Sequence, residues 1–194
     1  MIRNWKEDIV CLQETKLELI TRGVICSLWG GQHVDWVYLG SAGGFGGVSV
    51  MWDRRAIDKV EEAVARFSVS CKFKNVIDHF EWAFTRVYGL NSDRDRRLLW
   101  ELLSGLRRWN VPWCVRGDFN VVWFPSEHSG SVYFTMAMHQ FFDFITEQVL
   151  FDLPLDGGNL LGLILERLFQ GLGWTYFFCL QIGMISFYLS MADV

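Results

Sequence analysis

Three short apolar runs, each stopping at polar residues, constrain this chain more than any other feature in it. Trp113 to Val115 reads as a buried strand and runs into Gly117-Asp118-Phe119-Asn120. Residues 8 to 13 form a second run, closed by the carboxylate of Glu14. Residues 84 to 88 form a third, closed by Tyr88 and Asn91. Chains with several such runs fold as layered α/β proteins, and their chemistry collects where the strands end. Asp118 and Asn120, two residues apart, share one side of an extended chain, so Asn120 can hold Asp118 as a general base. Taken alone, Asp-Phe-Asn fits an Asx-turn equally well.

The three ends together offer two carboxylates, a phenol and two carboxamides. A hard divalent cation takes oxygen ligands from one or two carboxylates and leaves water and phosphate to complete its shell. Tyr88 and Asn91 can donate hydrogen bonds to phosphate oxygens. The set suits metal-assisted hydrolysis of a phosphodiester.

The remaining elements follow from periodicity. Residues 34 to 40 and Val48 to Trp52 read as strands. Residues 57 to 73 alternate, with Phe67, Val69, Cys71 and Phe73 on one face, which predicts an antiparallel strand with one wetted side. A turn over 75 to 80 leads into a strand over 81 to 88. A helix is expected over 92 to 107, with Ser92 as N-cap, Asp93 and Asp95 at its positive end, and Leu98, Leu99, Leu102, Leu103 and Leu106 as its apolar stripe. A second helix is expected from Thr135 to about Val149, with Met138, Phe141, Phe142, Ile145 and Val149 inward. The glycines at 43, 44, 46 and 47 lack a following Lys-Ser/Thr and open a strand, so they read as a turn and not a phosphate loop. The fold class is α/β, a two-sheet α/β sandwich, incomplete.

The motifs Leu12-Gln13-Glu14-Thr15, Val87-Tyr88-Gly89-Leu90-Asn91 and Gly117-Asp118-Phe119-Asn120, in this order, resemble the endonuclease/exonuclease/phosphatase superfamily. The nearer resemblance is to the endonuclease domain of plant-type non-LTR (LINE-like) retrotransposons. Residues 35–47, 51–55, 81–89, 91–103, 124–130 and 151–158 carry further landmarks, so the likeness covers residues 5 to about 158. It implies Mg²⁺ held by Glu14, water oriented or deprotonated by Asp118 with Asn120 fixing it, and phosphate contacted by Tyr88 and Asn91. DNA is the implied substrate, and the nucleus or cytoplasm the implied location.

Departures from the family are as informative. Its first-strand Trp-Asn pair is missing, and Asn4-Trp5 has the reverse order, which reads as truncation at the N-terminus. Leu90 stands where the family has Pro, and Arg116 where it has a second Gly. The family ends with Ser-Asp-His, whereas the one Asp-His pair here, Asp78-His79, falls between two strands and reads as a hairpin loop. His33, His128 and His139 have no evident carboxylate partner. The expected protein is therefore a pseudoenzyme with little or no activity.

Eighteen Lys and Arg against 22 Asp and Glu give a net charge of −4, which disfavours tight non-specific DNA binding. Arg94, Arg96 and Arg97, and Arg107 and Arg108, read as solvated helix faces. The five scattered cysteines show no zinc-ligand spacing and read as buried thiols in a reducing compartment.

Two domains are expected, residues 1–158 as the partial nuclease domain and 159–194 as an apolar tail. A frameshift explains the tail. Back-translation of Asn159 to Glu166 as AAT TTA CTT GGT CTA ATA CTC GAx, read from the third base, gives Phe-Thr-Trp-Ser-Asn-Thr-Arg, which matches the family's continuation. The same shift over Cys179 to Met184 permits Leu-Ser-Ala-Asp-Trp-Asp. The rival reading is a non-catalytic, membrane-tethered or partner-binding protein, because residues 168–192 carry no charge and are long enough to span a bilayer. Gln170, Gln181 and several Gly and Ser residues, with no basic flank beyond Arg167, oppose it. The frameshift predicts that the DNA after codon 158 encodes Phe-Thr-Trp-Ser-Asn in another forward frame and, further on, Ser-Asp-His. Sequencing that stretch and finding neither would refute it.

Overall fold

A computed structural model of the protein describes residues 8–42, 46–88, 92–117, 119, 121 and 135–150, with the backbone of 187–189 in addition. Strand β1 (Ile9–Gln13) is followed by helix α1 (Arg22–Trp29), β2 (Val34–Leu39), β3 (Val48–Asp53), β4 (Ile57–Ala65), β5 (Ser68–Asn75) and β6 (Glu81–Val87). Helix α2 (Asp93–Gly105), a 3-10 turn (Leu106–Trp109), β7 (Trp113–Gly117), α3 (Met136–Gln148) and β8 (Phe187–Leu189) complete the order. The chain divides into two compact units, one of residues 1–86 with 182–194, the other of residues 87–181.

The first unit is built on two sheets. One has the order β2-β3-β1-β8, all antiparallel, with Ile9 opposite Trp52, Gln13 opposite Val48, and Cys11 opposite Phe187. The other runs β4-β5-β6. Period-two alternation sorts β1 by face. Val10 joins Ile20, Ile25, Val34 and Met51 in the layer beneath α1. Ile9, Cys11 and Gln13 therefore face the other sheet. On that side Trp52 meets Phe73 edge-on at 5.1 Å, and Phe73 meets Trp82 at 5.1 Å. Burial pushes the Cys71 thiol in this layer up to about 12, so it is an inert core residue.

Residues 57–73 are two strands and not the single strand expected. They turn at Arg66-Phe67, and the Arg66 guanidinium lies over the Phe67 ring. Val69, Cys71 and Phe73 share the buried face as anticipated, but Phe67 sits in the turn. The opposite face of β5 is not wetted at its start either. Ser68 and Ser70 are buried there, and Ser70 Oγ accepts a hydrogen bond from the Thr85 hydroxyl at 2.9 Å. Strand β4 is the charged edge, bulged between Lys59 and Glu61, as suits a strand end of a sheet that must not recruit another chain.

The second unit packs around one indole. Trp100 of α2 stacks on Phe144 at 4.5 Å and contacts Phe119 and Phe141 at 5.6 and 5.7 Å. Ser92 caps α2 by accepting from Asp95 N, as expected, while Leu98 is exposed and Trp100 takes its place inside. In α3, Thr135 caps the helix, and Met138, Phe141, Phe144, Ile145 and Gln148 face inward. Phe142 and Val149, expected inside, are exposed on the flank of this stripe. Arg94, Arg97, Arg107 and Arg108 are exposed, in keeping with a solvated face, and Arg96 pairs with Asp93 at 2.6 Å. Among the described residues, no helix is long and apolar enough to cross a membrane.

Candidate functional site

β1 stops because its backbone turns left-handed. Glu14 and Lys16 both have φ of 55°. Across from them Gly46 and Gly47 have φ of 80° and 91°, values that favour glycine. The two turns interlock: Thr15 N donates to Gly47 O at 3.2 Å, and Lys16 N to Gly46 O at 2.8 Å. Gly46 N then donates to Glu14 Oε2 at 3.3 Å. A Cβ on Gly47 would meet Thr15 Oγ1 at 2.3 Å, so the close approach depends on glycine. The carboxylate of Glu14 is thereby seated, half-buried, at the C-terminal end of the strand. In sequence these glycines mark only a turn; the described pair, Gly46 and Gly47, forms the seat of Glu14.

One residue earlier, Gln13 Oε1 accepts a hydrogen bond from Nη2 of Arg86 on β6. Arg86 is 3% exposed, and its Nε has no partner among the described residues. None of the sequence motifs assigns Arg86 a role. Period-two alternation would have put it on the face of Phe84 and Tyr88, toward the sandwich interior, which is an unusual place for a charge.

Tyr88, half-buried, follows the last residue of β6 directly. In the second unit, Val87 and Gly117 approach closely. A Cβ on Gly117 would lie 2.5 Å from Val87 O and 2.8 Å from its Cα. Asp118, Asn120 and Asn91 lie outside the described residues. Between the first two, Phe119 is fully buried in the aromatic cluster, 5.1 Å from Phe141.

Asp78-His79 is a hairpin loop between β5 and β6, as expected. Asp78 Oδ1 accepts from Phe80 N at 3.0 Å, and His79 has φ of 61°. A different acidic pair lies at the opposite end of β1. Asp53 accepts two bonds from Arg55 Nε and one from Nη2, and the neighbouring Asp8 carbonyl accepts from Asp53 N. The Arg55 guanidinium holds the Asp53 carboxyl below its usual range, with a smaller contribution from His33. His33 thus has a carboxylate neighbour that its sequence position did not suggest. Burial, and then Asp53, pushes Asp8 up. Among the described residues, no three His, Cys, Asp or Glu side chains gather as a metal cluster.

The architecture matches solved proteins of known fold. The human Nocturnin catalytic domain with bound sulfate superposes with a TM-score of 0.57 at 14% identity, covering 78% of this chain and 60% of that one. The AP endonuclease LMAP from Leishmania major gives 0.56 at 16%, covering 78% and 60%. An endonuclease/exonuclease/phosphatase family protein from Bacteroides thetaiotaomicron gives 0.54 at 19%, covering 78% and 59%. The chain has the two-sheet α/β sandwich fold of these proteins and spans about three fifths of their length. No protein-family model matches the sequence. No curated protein matches it.

The Val87–Gly117 approach leaves no room for a side chain at position 117. Gly117→Ala would press a methyl group against backbone, which must shift. The substitution should lower stability by about 1–3 kcal/mol in denaturant unfolding. An unchanged midpoint would show that the two strand ends are not locked together.

Proposed function

We propose that this chain is a remnant of a Mg²⁺-dependent DNA endonuclease from a retroelement, of plant LINE-like type, and that the 194-residue polypeptide is catalytically silent. The observation that carries the reading is the seat of Glu14, a carboxylate fixed at a strand end by the amide of Gly46. It coincides with the first of three motifs in family order. The sandwich fold shared with nucleases and phosphatases supports it.

The residues suit a hard cation. Mg²⁺ keeps most of its waters and needs only one or two carboxylates, and Glu14 would supply the first. Bound there, the ion would polarise a phosphodiester and neutralise charge developing on it. Asp118 would accept a proton from the attacking water, held by Asn120. Tyr88 and Asn91 would donate hydrogen bonds to phosphate oxygens.

Silence follows from what replaces the rest of the machinery. After Gly158 the sequence carries an apolar run in place of the family's Arg-Asp and Ser-Asp-His elements. Fixed donors aimed at developing charge are usually the largest catalytic term. Losing one member of such a set costs roughly 10²–10³ in rate. We assign residues 159–194 to a shifted frame, and a nuclear or cytoplasmic setting follows from the DNA substrate.

The test is nicking of supercoiled plasmid in Mg²⁺. The chain should stay at background. A polypeptide continued in the alternative frame through Ser-Asp-His, and preceded by the family's Trp-Asn strand, should nick. Glu14→Ala or Asp118→Ala in that longer protein should abolish the activity. Robust nicking by the 194-residue chain, lost in Asp118→Ala, would contradict the silent state. Nicking by the longer protein that survives both substitutions would overturn the site.

A further inference from the structure

Arg86 poses an electrostatic problem that the motifs leave unsolved. It lies on β6 with its guanidinium inside the sandwich, 3% exposed. Arginine stays protonated in proteins, so burial cannot neutralise it. A buried charge is tolerated when it is paired, and leaving one unpaired costs several kcal/mol. Yet among the described residues no carboxylate pairs with Arg86. Its partner is the neutral amide oxygen of Gln13, and Nε is buried without any.

Its placement indicates what the missing partner is. Gln13 is the last residue of β1, and Glu14 follows it. Arg86 is the penultimate residue of β6. The guanidinium therefore sits in the last interior row of the first unit, one step below the seated carboxylate. Two features meet there: a fixed cation with an unused Nε donor, and the single seated carboxylate of Glu14, which suits a divalent cation. A phosphodiester satisfies both, since its oxygens can accept from the guanidinium on one side and bind a cation on the other.

We propose that Arg86 is an anion seat at the end of the sandwich, taking a non-bridging phosphate oxygen of a nucleic-acid strand. Gln13 aims the guanidinium from the facing sheet. The inference rests on the nuclease reading of Glu14 for the identity of the ligand. The seat would let the chain hold a strand that it does not cut.

Anisotropy of a fluorescein-labelled oligothymidylate tests this with the full chain, in EDTA and in Mg²⁺. Arg86→Met, similar in volume and apolar, should fold at least as stably as the parent. It should weaken oligonucleotide binding in EDTA by roughly tenfold, the loss of about one charge-assisted hydrogen bond. Arg86→Lys should keep part of the affinity, and Gln13→Leu should weaken it by less than Arg86→Met does. Inorganic phosphate should raise the melting temperature of the parent and not of Arg86→Met, which separates a phosphate contact from general stability. Equal affinity and an equal phosphate response in the parent and a folded Arg86→Met would overturn the proposal. An Arg86-dependent response in EDTA with no added effect of Mg²⁺, and none of Glu14→Gln, would leave the anion seat standing while removing the nuclease reading.

Discussion

Everything proposed for this protein depends on where β1 stops. The strand pairs with β3 as far as Gln13 and Val48, and then both chains turn left-handed at once. Glycine makes this possible on one side, at Gly46 and Gly47. On the other side Glu14 itself adopts a left-handed φ, which a side-chain-bearing residue accepts only when surrounding bonds impose it. The Thr15, Lys16 and Gly46 amides are those bonds. The outcome is a carboxylate held by a backbone amide from the segment that leads into β3, not by a flexible side chain. Such preorganisation is what a cation site requires.

Core packing explains why the seat keeps its shape. The Trp52–Phe73–Trp82 contacts lock the two sheets of the first unit from inside, while Val10 and Met51 hold α1 from outside. β1 is therefore fixed on both faces, and by β3 and β8 on both edges. Into this layer the sequence introduces a charged link, Gln13 with Arg86. Methionine at 86 would satisfy packing equally well. A buried guanidinium on a neutral partner makes sense when an anion is expected from outside the chain.

Much of this was legible in the sequence. Strands over 8–13, 34–40, 48–52 and 81–88 follow from short apolar runs, and Ser92 and Thr135 mark their helices by capping chemistry. The hairpin at Arg66-Phe67 was not legible, because neither residue is a turn former and the alternation runs through it. Helix α1 was missed as well: eight residues with Gly23 near the start carry too little periodicity. Leu98, Phe142 and Val149 are placed inside by helical spacing, yet the inward stripe is rotated toward Trp100 and Phe144, whose rings stack at 4.5 Å. At the site, Glu14 was legible as a strand-end carboxylate. Its seat was not, since the Gly46 contact spans 32 residues and glycine clusters usually mean only a turn. Arg86 escaped notice because a charge one step before a strand end ordinarily points to water.

The most direct test of the account is where a divalent cation binds. Mn²⁺ added to ¹⁵N-labelled protein broadens the amides nearest to it. β1 separates the two acidic ends, Glu14 from the Asp8–Asp53 pair, by about 20 Å at ~3.3 Å per residue, far enough to tell them apart. The account predicts that the amides of Glu14, Thr15 and Gly46 broaden first, and that Glu14→Gln removes the effect. Broadening centred on Asp8 and Asp53, unchanged in Glu14→Gln, would contradict it.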